Sequence, residues 1–220
     1  MSATGRVILL AGATSDAGLT LARVLMDAGA RVIATGRSAE RLVAVREAGA
    51  QVEVADATSF DEMSALAGRL DAVDGVISLV GGWRGGGGLA GQSDEDFAAL
   101  LPALEAVRTT SRAFDALLQA SDAGRFAIVS STAVARPLAG GANYAAVKAA
   151  SEAWARAVAQ GFAKTARDAG VPLRAASVIF RAKALEPDAL ATAVAGLWDA
   201  AAPDLNDRVI DIGWFSEHSA

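Results

Sequence analysis

The sequence predicts an α/β fold, in which a doubly wound sheet of about seven parallel strands carries helices on both faces. Short runs rich in β-branched residues alternate with longer alanine- and leucine-rich stretches of helical spacing, which is typical of parallel strands joined by crossover helices. The strand segments are almost continuously apolar, which indicates that both of their faces are covered. The predicted strands are 6–11, 31–35, 51–55, 75–80, 125–130, 173–180 and 208–212, and the predicted helices are 17–28, 39–48, 59–70, 94–120, 141–168 and 187–200.

The helix predicted at 94–120 has a clear start and an expected break. Ser93 is a candidate N-cap, and the acidic residues that follow it suit the positive end of the helix dipole. Because proline has no N–H and its ring clashes with the preceding turn, we expect Pro102 to interrupt this helix.

Composition predicts one domain over residues 1–220. Of the 220 residues, 53% are hydrophobic and 20% are charged, which supplies a sizeable core and excludes intrinsic disorder. The chain shows no fixed-period repeat and no long linker. The one low-complexity segment is 81–91, in which seven of eleven residues are glycine, and we expect a mobile or closely packed loop there.

Charge and hydropathy exclude several classes of protein. The apolar runs are far shorter than the roughly 20 residues of a membrane-spanning helix, and residues 1–6 do not resemble a secretory signal. We therefore expect a cytoplasmic protein without a membrane segment. The net charge of -5 argues against a nucleic-acid or acidic-membrane surface, since both require a clustered positive face.

Cysteine and histidine chemistry are also excluded. The chain has no cysteine, so it has neither disulfides nor thiolate nucleophiles. His218 is the only histidine, and it lies close to the C-terminus, where chain ends commonly fray. We therefore expect neither a histidine-based catalytic triad nor a metal site.

A glycine-containing turn, Ala11 to Gly18, joins the first strand to the first helix. Gly12 would permit the tight turn and Gly18 close helix packing, while the helix N-terminus would present free amides to a pyrophosphate. Two glycines alone are a weak signal, and an ordinary strand-to-helix turn is the alternative. The candidate cofactor-binding residues of this turn are Gly12, Thr14, Ser15, Ala17 and Gly18.

The ends of the second and third strands indicate which dinucleotide would bind. No acidic residue lies near Gly36, where an NAD enzyme usually keeps a carboxylate for the ribose, and Arg37 could pair with a 2′-phosphate. We therefore expect NADP, with NADPH preferred over NADH, although Arg37 could instead be a solvated charge. Asp56 and Ala57 are candidates for the adenine end, with capping of the next helix near Ser59 as the alternative for Asp56.

Tyr144 and Lys148 are four residues apart in a predicted helix, so their side chains project from one face. A nearby ammonium favours the phenolate, which makes Tyr144 a usable general acid or base. Ser130 and Ser131 end the fifth strand, at the edge where a doubly wound sheet binds its ligands. A serine there can donate a hydrogen bond to a substrate oxygen.

In these residues the chain resembles the short-chain dehydrogenase/reductase family, from Arg6 to about Ile212, and the resemblance implies a Rossmann-type sheet. The family's catalytic serine, tyrosine and lysine fall on Ser131, Tyr144 and Lys148, and its cofactor turn falls on 11–18 with Asp16 in place of the middle glycine. The family's glycine after the fourth strand is kept as Gly81. The resemblance therefore implies an enzyme that interconverts a carbonyl and an alcohol with NADP(H).

Two further departures from the family concern catalysis. The family's catalytic asparagine has no counterpart in 100–107, where Glu105 is a possible replacement or simply faces solvent. The segment that normally covers the substrate shrinks to 182–186, so either a large substrate lies in an open cleft, or a partner subunit closes the site, or catalysis has been lost. These departures leave a non-catalytic NADP(H)-binding sensor or scaffold subunit as the alternative function.

Candidate substrate contacts flank the glycine-rich loop and the end of the sixth strand. Trp83, Arg84, Phe180 and Arg181 are expected to border the pocket, and the arginines suggest an anionic substrate unless they are ordinary loop charges. Because the family commonly assembles through its two long helices, here 94–120 and 141–168, the resemblance also implies a homodimer or homotetramer.

Overall fold

Seven strands pair in parallel in one sheet of order β3-β2-β1-β4-β5-β6-β7 in the computed structural model, which describes residues 3–213. This confirms the predicted doubly wound α/β fold. The strands are β1 (Val7–Ala11), β2 (Arg31–Gly36), β3 (Gln51–Val54), β4 (Gly75–Ser78), β5 (Arg125–Ser131), β6 (Ala176–Ala182) and β7 (Arg208–Asp211). The helices are α1 (Asp16–Asp27), α2 (Val43–Glu47), α3 (Phe60–Ala67), α4 (Asp94–Ala120), α5 (Ala142–Asp168), α6 (Pro187–Ala195) and α7 (Ala202–Leu205).

Apolar residues on both faces of the sheet form two cores. Successive side chains of a strand point to opposite faces, so Ile8 and Leu10 of β1 pack in the core under α1 and α6. Leu9, between them, packs in the core under α3, α4 and α5 with Phe114 and Phe162. The nearly continuous apolar runs of the strands follow from this two-sided burial.

Serine side chains cap three of the helices that follow strands. Ser93 accepts a hydrogen bond from the backbone N–H of Asp96, which confirms the predicted start of α4. Ser15 and Ser59 cap α1 and α3 in the same way. Each cap satisfies a backbone donor that the first helical turn leaves free.

The predicted interruption at Pro102 is wrong, because α4 runs without a break through all of its 27 residues. The proline costs the hydrogen bond that its missing N–H would have donated. Leu100 and Ala103 on either side of it are buried against Val147 of α5, and this packing holds the helix together.

The structure also places several other element boundaries differently from the sequence prediction. The sixth strand begins at Ala176, later than predicted, and continues to Ala182, because β6 pairs with the whole of β5. The helix predicted at 39–48 divides into a 3-10 turn, Glu40–Leu42, and the short α2. The helix predicted to reach residue 200 ends at Ala195, and α7 was not predicted.

The topology places a ligand crevice at one edge of the sheet. From the central strand β1 the chain winds outward to β2 and β3, then crosses back to β4 on the other side of β1. In open parallel sheets ligands bind at the carboxyl ends of the strands beside such a switch point. None of the helices within residues 3–213 has the length and apolar character needed to span a membrane.

Candidate active site

An open cleft of about 1550 Å³ lies along the carboxyl edge of the sheet, where the segments after β1 to β6 converge with the first turns of α5. Most of the residues predicted for the site line this one cleft: Gly12, Thr14, Ser15, Ala17, Arg37, Asp56, Ala57, Gly81, Trp83, Ser131, Tyr144 and Lys148. Gly18, Arg84, Phe180 and Arg181 do not line it. His218 lies outside the described residues.

The turn after β1 accepts only glycine at two positions. Gly12 has a φ of +83°, and a Cβ there would lie 2.6 Å from Cγ2 of Val80. A Cβ on Gly18 would lie 2.6 Å from the carbonyl oxygen of Ala13, so α1 packs against the turn. The turn therefore brings its backbone, at the N-terminus of α1, to the wall of the cleft.

Asp16 is the first residue of α1, with Ser15 as the N-cap, and it is exposed at the cleft. A carboxylate in the first turn is favoured by the helix dipole, which accounts for the place of Asp16 at the start of α1. The same position sets a negative charge beside the amides that would face a pyrophosphate.

The cleft next to the end of β2 carries a second positive charge in addition to that of Arg37. Arg41 and Ser38 also line the cleft, and the backbone N–H of Arg41 donates to the Ser38 hydroxyl. Sequence reasoning missed Arg41, although its spacing of four from Arg37 is a usable signal. A Cβ on Gly36 would lie 2.5 Å from Cγ2 of Thr14, so the β1 turn presses against the position where an acidic side chain would stand.

Asp56 lines the cleft and does not cap α3, since Ser59 does so. Its Oδ1 accepts hydrogen bonds from the backbone N–H and the hydroxyl of Thr58, at 2.9 and 2.8 Å. The capping alternative is therefore wrong, and Oδ2 has no partner within residues 3–213.

Tyr144 and Lys148 lie one turn apart near the start of α5, with Nζ of Lys148 5.8 Å from the centre of the tyrosine ring. Lys148 is buried, and Nζ donates a hydrogen bond to the carbonyl of Val129 over 2.7 Å. Burial lowers the pKa of Lys148 to about 8, against the opposing effect of the Glu152 carboxylate. A Cβ on Gly81 would lie 3.4 Å from Nζ, so the backbone at Gly81 lies close to the ammonium.

The two serines at the end of β5 have different partners. Ser130 donates to Oε1 of Glu152 over 2.7 Å, so its hydroxyl is committed to a buried carboxylate. Oγ of Ser131 accepts from the backbone N–H of Ala133, and its hydroxyl hydrogen has no acceptor among the described residues. Only Ser131 therefore keeps a donor available to a ligand.

The expectation that Phe180 and Arg181 border the substrate pocket is wrong. Phe180 is fully buried in the core under α1 and α6. Arg181, on the opposite face of β6, binds Glu152 through Nε to Oε1 at 2.8 Å and Nη2 to Oε2 at 2.6 Å. Burial opposes ionisation of Glu152, but the hydrogen bonds from Arg181 and Ser130 outweigh it and hold the pKa of this carboxyl below its ordinary value.

Arg84 and Glu105 also lie off the site. The Arg84 guanidinium donates to the backbone carbonyl of its neighbour Trp83 and does not line the cleft. Glu105 is exposed on α4 and does not line the cleft either, so it does not replace the family's asparagine.

The glycine-rich loop, 81–91, contributes residues 81–83 to the wall of the cleft and is anchored to the segment before α5. The backbone N–H of Gly86 donates to the carbonyl of Gly140 over 2.7 Å. The Gln92 side-chain amide donates to the carbonyls of Gly86 and Gly140, and its oxygen accepts from the N–H of Asn143. The short connection between β6 and α6 contributes Lys183, Ala184 and Leu185 to the same cleft.

Three solved structures resemble the chain over nearly its whole length. A metagenomic short-chain oxidoreductase in complex with NADP is 27% identical, with a TM-score of 0.79 and coverage of 96% of this chain and 98% of the other. A short-chain type dehydrogenase/reductase from Mycobacterium ulcerans is 19% identical, with a TM-score of 0.82 and coverage of 96% and 89%. A structure from Shigella flexneri 2a complexed with NADP is 21% identical, with a TM-score of 0.81 and coverage of 96% and 98%.

No curated protein matches the sequence. The family model described as short chain dehydrogenase matches residues 6–169, which is well over half of the chain. That range includes the glycine turn, the serine at the end of β5 and the tyrosine–lysine pair. The chain therefore belongs to the short-chain dehydrogenase/reductase family, a family of oxidoreductases.

Proposed function

We propose that this protein interconverts a carbonyl and an alcohol with NADP(H), using Tyr144 as the general acid and base. The observation that carries the proposal is that Ser131, Tyr144 and Lys148 line the same cleft as the glycine turn after β1. A cofactor lying along this cleft would have one end at the turn and the other beside the tyrosine.

The residues of the cleft fit an extended NADP. The backbone at Gly12, Thr14, Ser15 and Ala17 would hold the pyrophosphate, because these residues line the cleft at the N-terminus of α1, where backbone N–H groups are free to bind an anion. Arg37 and Arg41 would hold the 2′-phosphate, and the NADP complex of the 27% identical structure supports this choice of cofactor.

The remaining contacts would fix the two nucleosides. Asp56 and Ala57 would lie at the adenine, and Gly81 and Lys148 at the nicotinamide ribose. When bound, NADPH supplies the hydride for the carbonyl carbon.

Three side chains would complete the reduction. The free hydroxyl hydrogen of Ser131 orients the carbonyl oxygen, and the Tyr144 hydroxyl donates its proton to that oxygen as the alcohol forms. The buried ammonium of Lys148 stabilises the phenolate left on Tyr144. Nζ has three donors and Val129 takes one, which leaves two for the ribose and solvent.

The deciding experiment is a screen of ketones with NADPH and of alcohols with NADP+, comparing the wild type with Tyr144→Phe. A general acid contributes roughly a hundred- to ten-thousand-fold, so we expect the variant to lose that much turnover. Its affinity for NADPH, measured by calorimetry, should stay unchanged. Equal turnover by the two proteins would remove Tyr144 from the chemistry.

The competing function is a sensor or scaffold subunit that binds NADP(H) without turnover. Asp16 in the glycine turn and the exposure of Glu105, which leaves the family's asparagine without a replacement, favour it. Tight NADPH binding with no turnover across the screen would establish this alternative.

Assembly and location remain predictions. We propose a homodimer or homotetramer through α4 and α5, which are each 27 residues long and carry partly buried apolar side chains such as Leu101 and Trp154. Sedimentation would give the oligomeric state. The cytoplasmic location that the sequence predicts is tested by fractionation of cells that express the protein.

A further inference from the structure

The cleft is positively charged in a protein whose net charge is -5. Its two acidic side chains, Asp16 and Asp56, belong to the segments that follow β1 and β3, at the cofactor end. The segments that follow β5 and β6, beside Tyr144, contribute basic side chains and no acidic ones to the lining. The basic residues of the cleft are Arg37, Arg41, Arg136, Lys148 and Lys183.

The proposed chemistry leaves two cations of this group unused, Lys183 and Arg136, and neither has a hydrogen-bond or ion-pair partner within residues 3–213. Of the two, Arg136 lines this cleft alone. It lies on the connection between Ser131 and Tyr144, after the 3-10 turn Thr132–Val134, and its side chain is exposed at the cleft. No hydrogen bond or ion pair joins its guanidinium to the described part of the chain. Lys183 differs, because it also lines a smaller neighbouring cavity that contains Glu186 and Asp211.

Three large apolar side chains stand open to solvent around the same region. Trp83 is 61% exposed, Leu138 is 77% exposed and Leu185 is 43% exposed, and all three line the cleft. They come from three separate segments: the glycine-rich loop, the connection before α5 and the connection before α6. Exposed apolar side chains that converge on one cleft mark a surface for an apolar ligand.

We propose that the substrate is an amphipathic carbonyl compound, or the corresponding alcohol, whose anionic group pairs with Arg136 and whose apolar body lies against Trp83, Leu138 and Leu185. This inference rests on the proposed function for the carbonyl, and on the cleft for the anion and the apolar body. It retains the anionic substrate suggested by sequence and transfers the binding role from Arg84 and Arg181 to Arg136.

The test uses the full chain saturated with NADP+ and two probes that differ in charge, 4-oxo-4-phenylbutanoate and its methyl ester. Calorimetry should show the acid binding about two- to fivefold more tightly than the ester, as one exposed ion pair provides. The preference should disappear in Arg136→Gln. Arg46→Gln removes the same charge from α2, outside the cleft, and should keep the preference. Trp83→Ala should weaken the binding of both probes.

Equal binding of acid and ester by the wild type, binding of neither, or a preference that survives Arg136→Gln would each overturn the inference. Failure of this inference can be distinguished from failure of the proposed function, because the binding measurements need no turnover. Selective binding of the acid without reduction of any carbonyl would support the anion site and refute the reaction. Turnover of the ester that is as efficient as turnover of the acid would support the reaction and refute the anion site.

Discussion

Nζ of Lys148 donates a hydrogen bond to the backbone carbonyl of Val129 over 2.7 Å, so a buried ammonium joins α5 to β5 at the wall of the cleft. Burial opposes the charged form and lowers the pKa of Lys148 to about 8, while the Glu152 carboxylate acts in the opposite direction. Lys148 is therefore both a candidate for the chemistry and a pH-dependent component of stability.

The free energy of unfolding of the cofactor-free protein should rise between pH 8 and 10.5 relative to that of Lys148→Met. In this window the unfolded lysine is still protonated and the folded one is not, so the unfolded state binds more protons and stability increases with pH. The gain is limited to about 1.4 kcal/mol for each unit by which the pKa is lowered. Urea unfolding at pH 7, 8.5 and 10 would measure it.

Lys164→Met is the control for this comparison, since Lys164 lies on the same helix but is exposed and paired with Asp168. It should show the same dependence on pH as the wild type. Curves for Lys148→Met that also parallel the wild type would contradict a lowered pKa for Lys148.

Replacement of Glu152 by glutamine should cost about 3 kcal/mol of unfolding free energy at pH 7, because it leaves the Arg181 guanidinium without its charged partner. The lowered pKa of Glu152 means that this stabilisation is present above pH 4.5 and is lost as the pH falls through the folded pKa. The difference between variant and wild type should therefore shrink in acid.

Asp168→Asn is the matched control for Glu152→Gln. It breaks an ion pair on the same helix whose two side chains are exposed, and such pairs contribute less than about 1 kcal/mol. Equal losses of unfolding free energy in the two variants would show that the buried pair contributes no more to stability than the exposed one.

The parts of the site that depend on local chain geometry could be predicted from sequence. Tyr144 and Lys148 share a helix face because of their spacing, and Ser131 lies at the edge of the sheet because a strand ends there. Gly12 follows a strand and has the positive φ that such a turn requires. Each of these placements needs only the position of one element.

Placements that depend on packing between elements could not be predicted. On a strand that is buried on both faces, sequence does not show which alternate residues face which core, and Phe180 and Arg181 were misplaced for that reason. Arg136 and Arg41 reach the cleft through the folding of connections. Pro102 stays helical because contacts with α5 outweigh the lost hydrogen bond.

Arg37→Ala should weaken NADPH binding about tenfold and leave NADH binding almost unchanged, since only NADPH carries the 2′-phosphate that a guanidinium would bind. Arg41→Ala should act in the same direction, because both side chains line the end of the cleft after β2. Fluorescence titration of each protein with the two cofactors would measure the preference.

Arg46→Ala is the charge-matched control for the cofactor variants, because Arg46 is exposed on α2 and does not line the cleft. It should keep the preference for NADPH. A wild type that binds NADH as tightly as NADPH, or a preference that survives Arg37→Ala, would refute the 2′-phosphate site.

Gln92→Leu should release the glycine-rich loop from the segment before α5. The substitution removes the side-chain hydrogen bonds to the carbonyls of Gly86, Gly88 and Gly140 and the acceptor of the Asn143 N–H. A neutral hydrogen bond contributes about 1 kcal/mol, so the loss is large for a loop with few other contacts and small for the whole protein.

Hydrogen exchange followed by mass spectrometry should therefore show faster exchange in residues 81–91 of Gln92→Leu, the Gly86 amide included, with little change in β5 or α5. Gln119→Leu is the control, because Gln119 binds only Asp115 within α4. If the loop forms the wall that holds the apolar body of the substrate, KM for the substrate should rise with kcat and NADPH affinity preserved. Unchanged exchange in 81–91 would contradict an anchoring role for the Gln92 side chain and would leave the backbone hydrogen bonds, including that from Gly86 to Gly140, as what holds the loop.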